Sequence, residues 1–168
     1  INVPAGISVS GGRYSINNGP FTSDSGSVNG GDVVIVLATS PYDFSSSVTA
    51  TVTIGGVSGS FTVTTEAMDT TPNPFSFTAL TNVALNSSST SNAITVSGIN
   101  VALQISVLGG AYSINNGVFT SNPGTVNNGD VVSLQVISSG DVSSTATATL
   151  TVGEASGVFT VTTKSTNM

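Results

Sequence analysis

Reactive side chains are scarce in this 168-residue chain, which has no histidine, no cysteine, two basic residues (Arg13 and Lys164) and eight acids. A serine or cysteine nucleophile depends on an adjacent base, so neither a Ser–His nor a Cys–His pair can be assembled. What remains for hydrolysis is two carboxylates about 5–10 Å apart in a cleft. The acids are scattered instead: Asp24, Asp32, Asp43, Glu66, Asp69, Asp130, Asp141 and Glu154. Asp32 and Asp130 follow turn glycines at the starts of strands. There Asp ordinarily accepts hydrogen bonds from nearby backbone N–H groups. No catalytic residue and no cofactor is expected.

Four non-catalytic candidates follow from residue type and position. Glu66 and Asp69 flank a proline-containing stretch, and hard cations such as calcium take several oxygen ligands. A loop acid, Asp43 or Asp141, would have to join them, and no EF-hand or Gly/Asp-rich nonapeptide spacing is present. Sugar-binding platforms use aromatic faces. The chain has no Trp, and Tyr14 and Tyr112 alternate with Ile16 and Ile114 as packing residues do. Tyr42 is the candidate ligand-contacting aromatic in a loop. Asn86-Ser87-Ser88 fits the N-glycosylation acceptor pattern. The rows Thr49, Thr51, Thr53 and Thr145, Thr147, Thr149, Thr151 suit either an ordered-water face or an ordinary solvent face of a sheet, and the nearby glycine breaks favour the latter. With Lys164 the single lysine, near the chain end, a Lys–Asn crosslink is not expected.

Composition excludes whole classes of partner. Charged residues make up 6% of the chain and the net charge is −6, so no basic surface exists to neutralise phosphates or anionic lipid heads. No apolar run approaches the roughly 20 residues of a membrane-spanning helix. Hydrophobic content of 38% and mean hydropathy of +0.34 are enough for a core. The palette of Val, Ile, Ala, Phe, Ser and Thr favours strands. Absence of cysteine rules out a disulfide framework and points to a bacterial or archaeal surface protein rather than a small eukaryotic secreted domain. The chain opens on Ile with no visible signal peptide, which suggests a processed form or an excerpt.

The elements that position these residues are set by a duplication. GGRYSINNGPFTSDSGSVNGGDVV at 11–34 returns as GGAYSINNGVFTSNPGTVNNGDVV at 109–132, and at this offset of 98 the stretch 1–65 lies over 99–163 without a gap, with 40 of 65 positions identical. A repeat of this strength fixes the architecture before any local reading. Within each copy, apolar alternation marks strands around Ile7 and Val9 and around Tyr14 and Ile16. Asn17-Asn18-Gly19 signals a hairpin with Phe21 on the return strand. Asn29-Gly30-Gly31-Asp32 turns into 33–38, where Val34, Val36 and Ala38 face inward and Ile35 and Leu37 face water. Val48, Ala50, Val52 and Ile54 face inward next, followed by Phe61 and Val63. No sustained helical period appears.

Three segments result: a module at 1–66, a Pro-stiffened linker at 67–74 and a module at 75–168. Phe75, Phe77 and Ala79 alternate, then Val83 and Leu85; a Ser-rich loop at 86–92 leads into 93–96. These opening strands have no counterpart ahead of Ile1, the position equivalent to Ile99. One set of opening strands therefore serves two copies of everything else. Exchange between identical chains cannot balance that count, so the expectation is either a window cut from a longer tandem array or a different partner that completes module one, since an unpaired edge otherwise invites association.

The run GGxYSINNGxFTS…GxVxNGDVV…TATxTxG…SGxFTVTT, preceded by DTTPNPFSFTALTNVALNSSSTSNAITVSGIN, resembles the bacterial immunoglobulin-like repeats that stand in tandem in large secreted and surface proteins. The resemblance spans nearly the whole chain and implies an all-β fold of two tandem immunoglobulin-like β-sandwich modules; the first departs from the pattern in lacking its opening strands. It implies a structural segment of an extracellular stalk, adhesin or filament whose partners are other copies of the repeat. A glycan-binding module, with or without calcium, is the alternative. The resemblance brings no catalytic residues.

Overall fold

The computed structural model describes residues 3–165; Ile1, aligned above with Ile99, lies outside the described residues. The chain forms two compact units, 1–67 and 68–168, called here module one and module two. Among the described residues there are fifteen strands and no helix. Each module packs two sheets face to face, and alternation along the strands decides which side chains meet between them.

Module one contains β1 (Ala5–Ser10), β2 (Arg13–Ile16), β3 (Gly26–Val28), β4 (Val34–Leu37), β5 (Ser47–Ile54) and β6 (Val57–Thr64). One sheet has the order β3-β1-β5-β6 and the other is the pair β2-β4, all antiparallel. Gly11 and Gly12 carry the chain from one sheet to the other. A Cβ on Gly11, whose φ is +70°, would lie 2.1 Å from the carbonyl oxygen of Thr49, so this crossing requires glycine.

Module two repeats that frame as β10 (Leu103–Leu108), β11 (Ala111–Ile114), β12 (Gly124–Val126), β13 (Val131–Ile137), β14 (Thr145–Val152) and β15 (Ala155–Thr163). Three further strands precede it: β7 (Leu80–Val83), β8 (Ser88–Thr90) and β9 (Ile94–Thr95). Strand β7 extends the larger sheet, β12-β10-β14-β15-β7, and runs parallel to β15. Strands β8 and β9 both pair with the flank of β13 opposite β11. The opening segment thus spans both sheets, and Phe75, Phe77, Leu80 and Val83 pack on the core formed by Ile105, Leu134, Leu150, Phe159 and their neighbours.

Local departures from the sequence reading have physical causes. In each hairpin the left-handed pair is Asn17–Asn18 or Asn115–Asn116, not Asn-Gly, and Gly19 and Gly117 close the turns by donating to Ile16 and Ile114. Asn tolerates this region because its short amide bonds locally. Phe21 does not enter a return strand: the ladder there is a single bridge, Tyr14 with Thr22, and Phe21 is exposed. The Ser-rich stretch 86–92 contains β8, since Ser89 points inward and the Ser91 hydroxyl accepts from the Leu134 N–H. Phe75 and Phe77 lie outside any ladder; their rings meet edge to face at 6.1 Å. In module one, Val48, Val52 and Ile54 point inward but stay only half buried.

Candidate functional site

The repeated turns organise one acid each. The Asp32 carboxylate accepts from the Asn29 N–H at 2.8 Å and from the Asn17 side-chain amide at 2.8 Å, while the Asn17 carbonyl oxygen accepts from the Val33 N–H. Module two builds the same clamp from Asp130, Asn127, Asn115 and Val131. Backbone donation from Asn29 and Asn127, and then the Asn17 and Asn115 amides, hold both carboxyls below the usual Asp value. With their oxygens engaged in joining two loops, these acids act as turn clamps. Tyr14 and Tyr112 are buried, and their hydroxyls donate to the carbonyls of Asp24 and Asn122. Burial pushes the Tyr112 phenol up.

The Asp69 carboxylate accepts from the Thr71 N–H, and the Asp69 N–H donates to Asn100. Glu66 is exposed, and its backbone carbonyl accepts from Ser45. Among the described residues no three acids gather in a way that could hold a metal ion. Residues 69–73 are tied into module two, where Asn73 donates to the Ser97 carbonyl and Pro72 is buried. Tyr42 is fully exposed. Asn86 is also exposed, at a positive-φ turn beside Gly140. The first threonine row pairs sideways with β6, Thr49 with Thr62, Thr51 with Ser60 and Thr53 with Ser58, at 2.8, 3.2 and 2.8 Å, and in the second row Thr145 pairs with Thr162 of β15. These hydroxyls satisfy one another across the ladder, as on a solvent face.

The feature of module one with the clearest capacity for binding is its open face. Strand β4 pairs with β2 on one flank, and no described strand pairs with the other; β6 pairs only with β5. Phe61 is 48% exposed, whereas its counterpart Phe159 is 0% exposed. Val34, Val36 and Ala38 are half buried where Val132, Leu134 and Val136 are fully buried. Beside β4 a cavity of about 370 Å³ is lined by Gly11, Gly12, Arg13, Leu37, Thr39 and Val48. Leu37 and Thr39 correspond to Gln135 and Ile137, which pair with Thr90 and Ser88 of β8. Unpaired strand flanks and half-wet Phe and Val side chains together form a surface suited to an extended polypeptide. Sequence reading found the missing strands, but not which side chains their absence leaves exposed.

No protein-family model matches the chain, and no curated protein matches it. Solved structures give distant likenesses. Domains 4 and 5 of the S-layer protein SbsC align over 94% of this chain and 99% of that one, at 11% identity and a TM-score of 0.45. The titin I-band fragment I67-I69 aligns over 96% of this chain and 55% of that one, at 10% identity and a TM-score of 0.34. A chimeric titin Z1Z2 tandem aligns over 96% of this chain and 90% of that one, at 16% identity and a TM-score of 0.32.

Proposed function

We propose that this chain is a structural repeat segment of an extracellular stalk, adhesin or filament, non-enzymatic, with assembly through β-strand addition at the open flanks of module one. The observation that carries the reading is the duplication itself. Two copies of one β framework, 40 of 65 positions identical, retain the same turn clamps and the same buried tyrosines. A chain that repeats its framework rather than a reactive site is built for span. The hydroxyl-rich solvent face, with Arg13 and Lys164 its only basic residues, leaves few sites for proteases that cut at basic residues and suits exposure outside a cell.

The test is localisation and imaging of the native material with an antibody raised to the chain. Label on fibrous material outside intact cells is expected, and label confined to the cell interior overturns the reading. A glycan array with and without chelator tests the alternative. Reproducible binding that disappears in Tyr42→Ala, or on calcium removal, would replace a structural role with ligand recognition.

A further inference from the structure

We infer that the open face of module one is a receptor for the opening segment of another repeat of this type, an extended stretch with the chemistry of residues 69–98, seated across both sheets as that segment is seated in module two. This deepens the strand-addition part of the reading above and rests on it.

Module two shows the occupied form of the same surface. Leu80 lies opposite Val161 and Val83 opposite Thr163 along β15. Ser88, Ser89 and Thr90 lie opposite Ile137, Val136 and Gln135, and Ile94 opposite Val132. Val96 donates to the Asp130 carbonyl and accepts from the Gly129 N–H. At the repeat offset these positions are Val63, Thr65, Thr39, Ala38, Leu37, Val34, Asp32 and Gly31; five keep the residue of module two, while Thr39, Ala38 and Leu37 replace Ile137, Val136 and Gln135, where the pairing runs through the backbone. The buried Ser138 hydroxyl donates to the Ala84 carbonyl and accepts from the Ser87 N–H. Its counterpart Ser40 keeps the hydroxyl but is exposed.

A second, independent observation is a glycine. Within β15, a Cβ on Gly157 would lie 2.9 Å from the Phe75 ring, so the seat of that ring excludes any side chain. The counterpart Gly59, inside β6, would meet nothing within 4 Å, and its φ lies outside the left-handed region. A glycine inside a strand weakens it unless something approaches closely. Within module one alone Gly59 has no role; as the seat of an incoming aromatic ring it has the role of Gly157.

The occupant is therefore polypeptide carrying the pattern of Phe75, Phe77, Leu80, Val83, Ile94 and Val96. This chain's own copy of that segment is engaged in module two, so the occupant comes from a different repeat. The single charged residue in 69–98, Asp69, leaves apolar contact and backbone pairing to dominate the recognition.

The test adds a synthetic peptide of residues 69–98 to the full chain, and in parallel fuses the same segment ahead of residue 1. Amide exchange is followed over β4 and β6. Protection is expected to rise by about ten-fold or more in both arms, with β13 and β15 unchanged. Gly59→Val should abolish the gain, while the free variant keeps the exchange pattern of the parent chain. Unchanged protection of β4 and β6 in the fusion overturns the inference, and so does equal protection with Gly59→Val. Protection that appears with concentration of the chain alone also overturns it, assigning the face to a second copy. Failure here leaves the extracellular repeat reading standing, because the imaging test does not depend on this face.

Discussion

Module one and module two are nearly the same sentence written twice, yet they differ in how much of it is buried. In module two Phe159, Leu134, Leu150 and Val161 are sealed from water. In module one Phe61, in the same strand position as Phe159, is half in solvent, and the fully buried apolar side chains are Ile7, Tyr14, Val28 and Ala50. The framework strands, turns and clamps are present in both. What differs is one covering segment, which supplies Phe75, Phe77, Leu80, Val83, Ile94 and Val96. Closely similar local sequence therefore yields the same framework of strands and turns, though β4 (Val34–Leu37) is shorter than β13 (Val131–Ile137), and a core needs both of its sides. Burial is a property of what lies across from a residue, not of the residue.

The largest difference between the modules is expected at the paired phenylalanines. Phe159→Ala should destabilise module two by about 3–5 kcal/mol, the range for emptying a sealed aromatic site. Phe61→Ala should cost module one about 1 kcal/mol or less, since the ring is already half hydrated. Urea unfolding followed by amide exchange, which separates the modules, reads both; equal losses would mean the two cores are equivalent after all.

The paired glycines come next. Gly157→Val should destabilise module two by about 1–3 kcal/mol through overpacking against Phe75. Gly59→Val should leave module one unchanged, or slightly more stable through strand propensity. A thermal melt of each variant distinguishes them, and a Gly59→Val loss as large as that of Gly157→Val would show that the seat is already filled.

A smaller effect is expected where the modules agree. Asp32 and Asp130 have lowered pKa values in the folded chain, so their clamps add stability above the ordinary Asp value of 3.8. That stability is lost as pH falls from there through the folded values. Carboxyl titration by NMR should find both below 3.8, and Asp130→Asn should flatten the acid limb of module two. A normal titration for either would remove the clamp from the account. Smallest of all, Tyr42→Ala should shift stability by less than about 0.5 kcal/mol, because the ring touches nothing that its loss could expose; a calorimetric scan checks it.

Much of this was legible from residues alone. Period-2 alternation in 48–54, the Asn-rich turns and the 98-residue offset identified the strands, the hairpins and the imbalance of opening strands. The inward set Val34, Val36 and Ala38 was legible because the two copies disagree at Ile35 and Leu37 and agree in character at the others. Serine was misleading. In 86–92 it reads as loop, yet Ser89 is buried in a strand and Ser91 caps the Leu134 N–H. A hydroxyl that satisfies a ladder position looks, in sequence, like one that faces water. Glu66 and Asp69 stand out because both flank the Pro-containing stretch, and sequence does not record that the Asp69 carboxylate accepts from the Thr71 N–H.

By itself the sequence determined the repeat, the all-β fold, the turn chemistry and the absence of a histidine- or cysteine-based site, because each follows from residue identity and short-range period. Only the tertiary structure decided that β7 runs parallel to β15, that β8 and β9 flank β13, and that Phe75 sits on Gly157. Those are contacts between segments far apart along the chain. Their energy depends on three-dimensional complementarity, and no local pattern records it. Module one shows the same rule from the other side: its residues build the framework, and among the described residues no strand pairs with the outer flanks of β4 and β6.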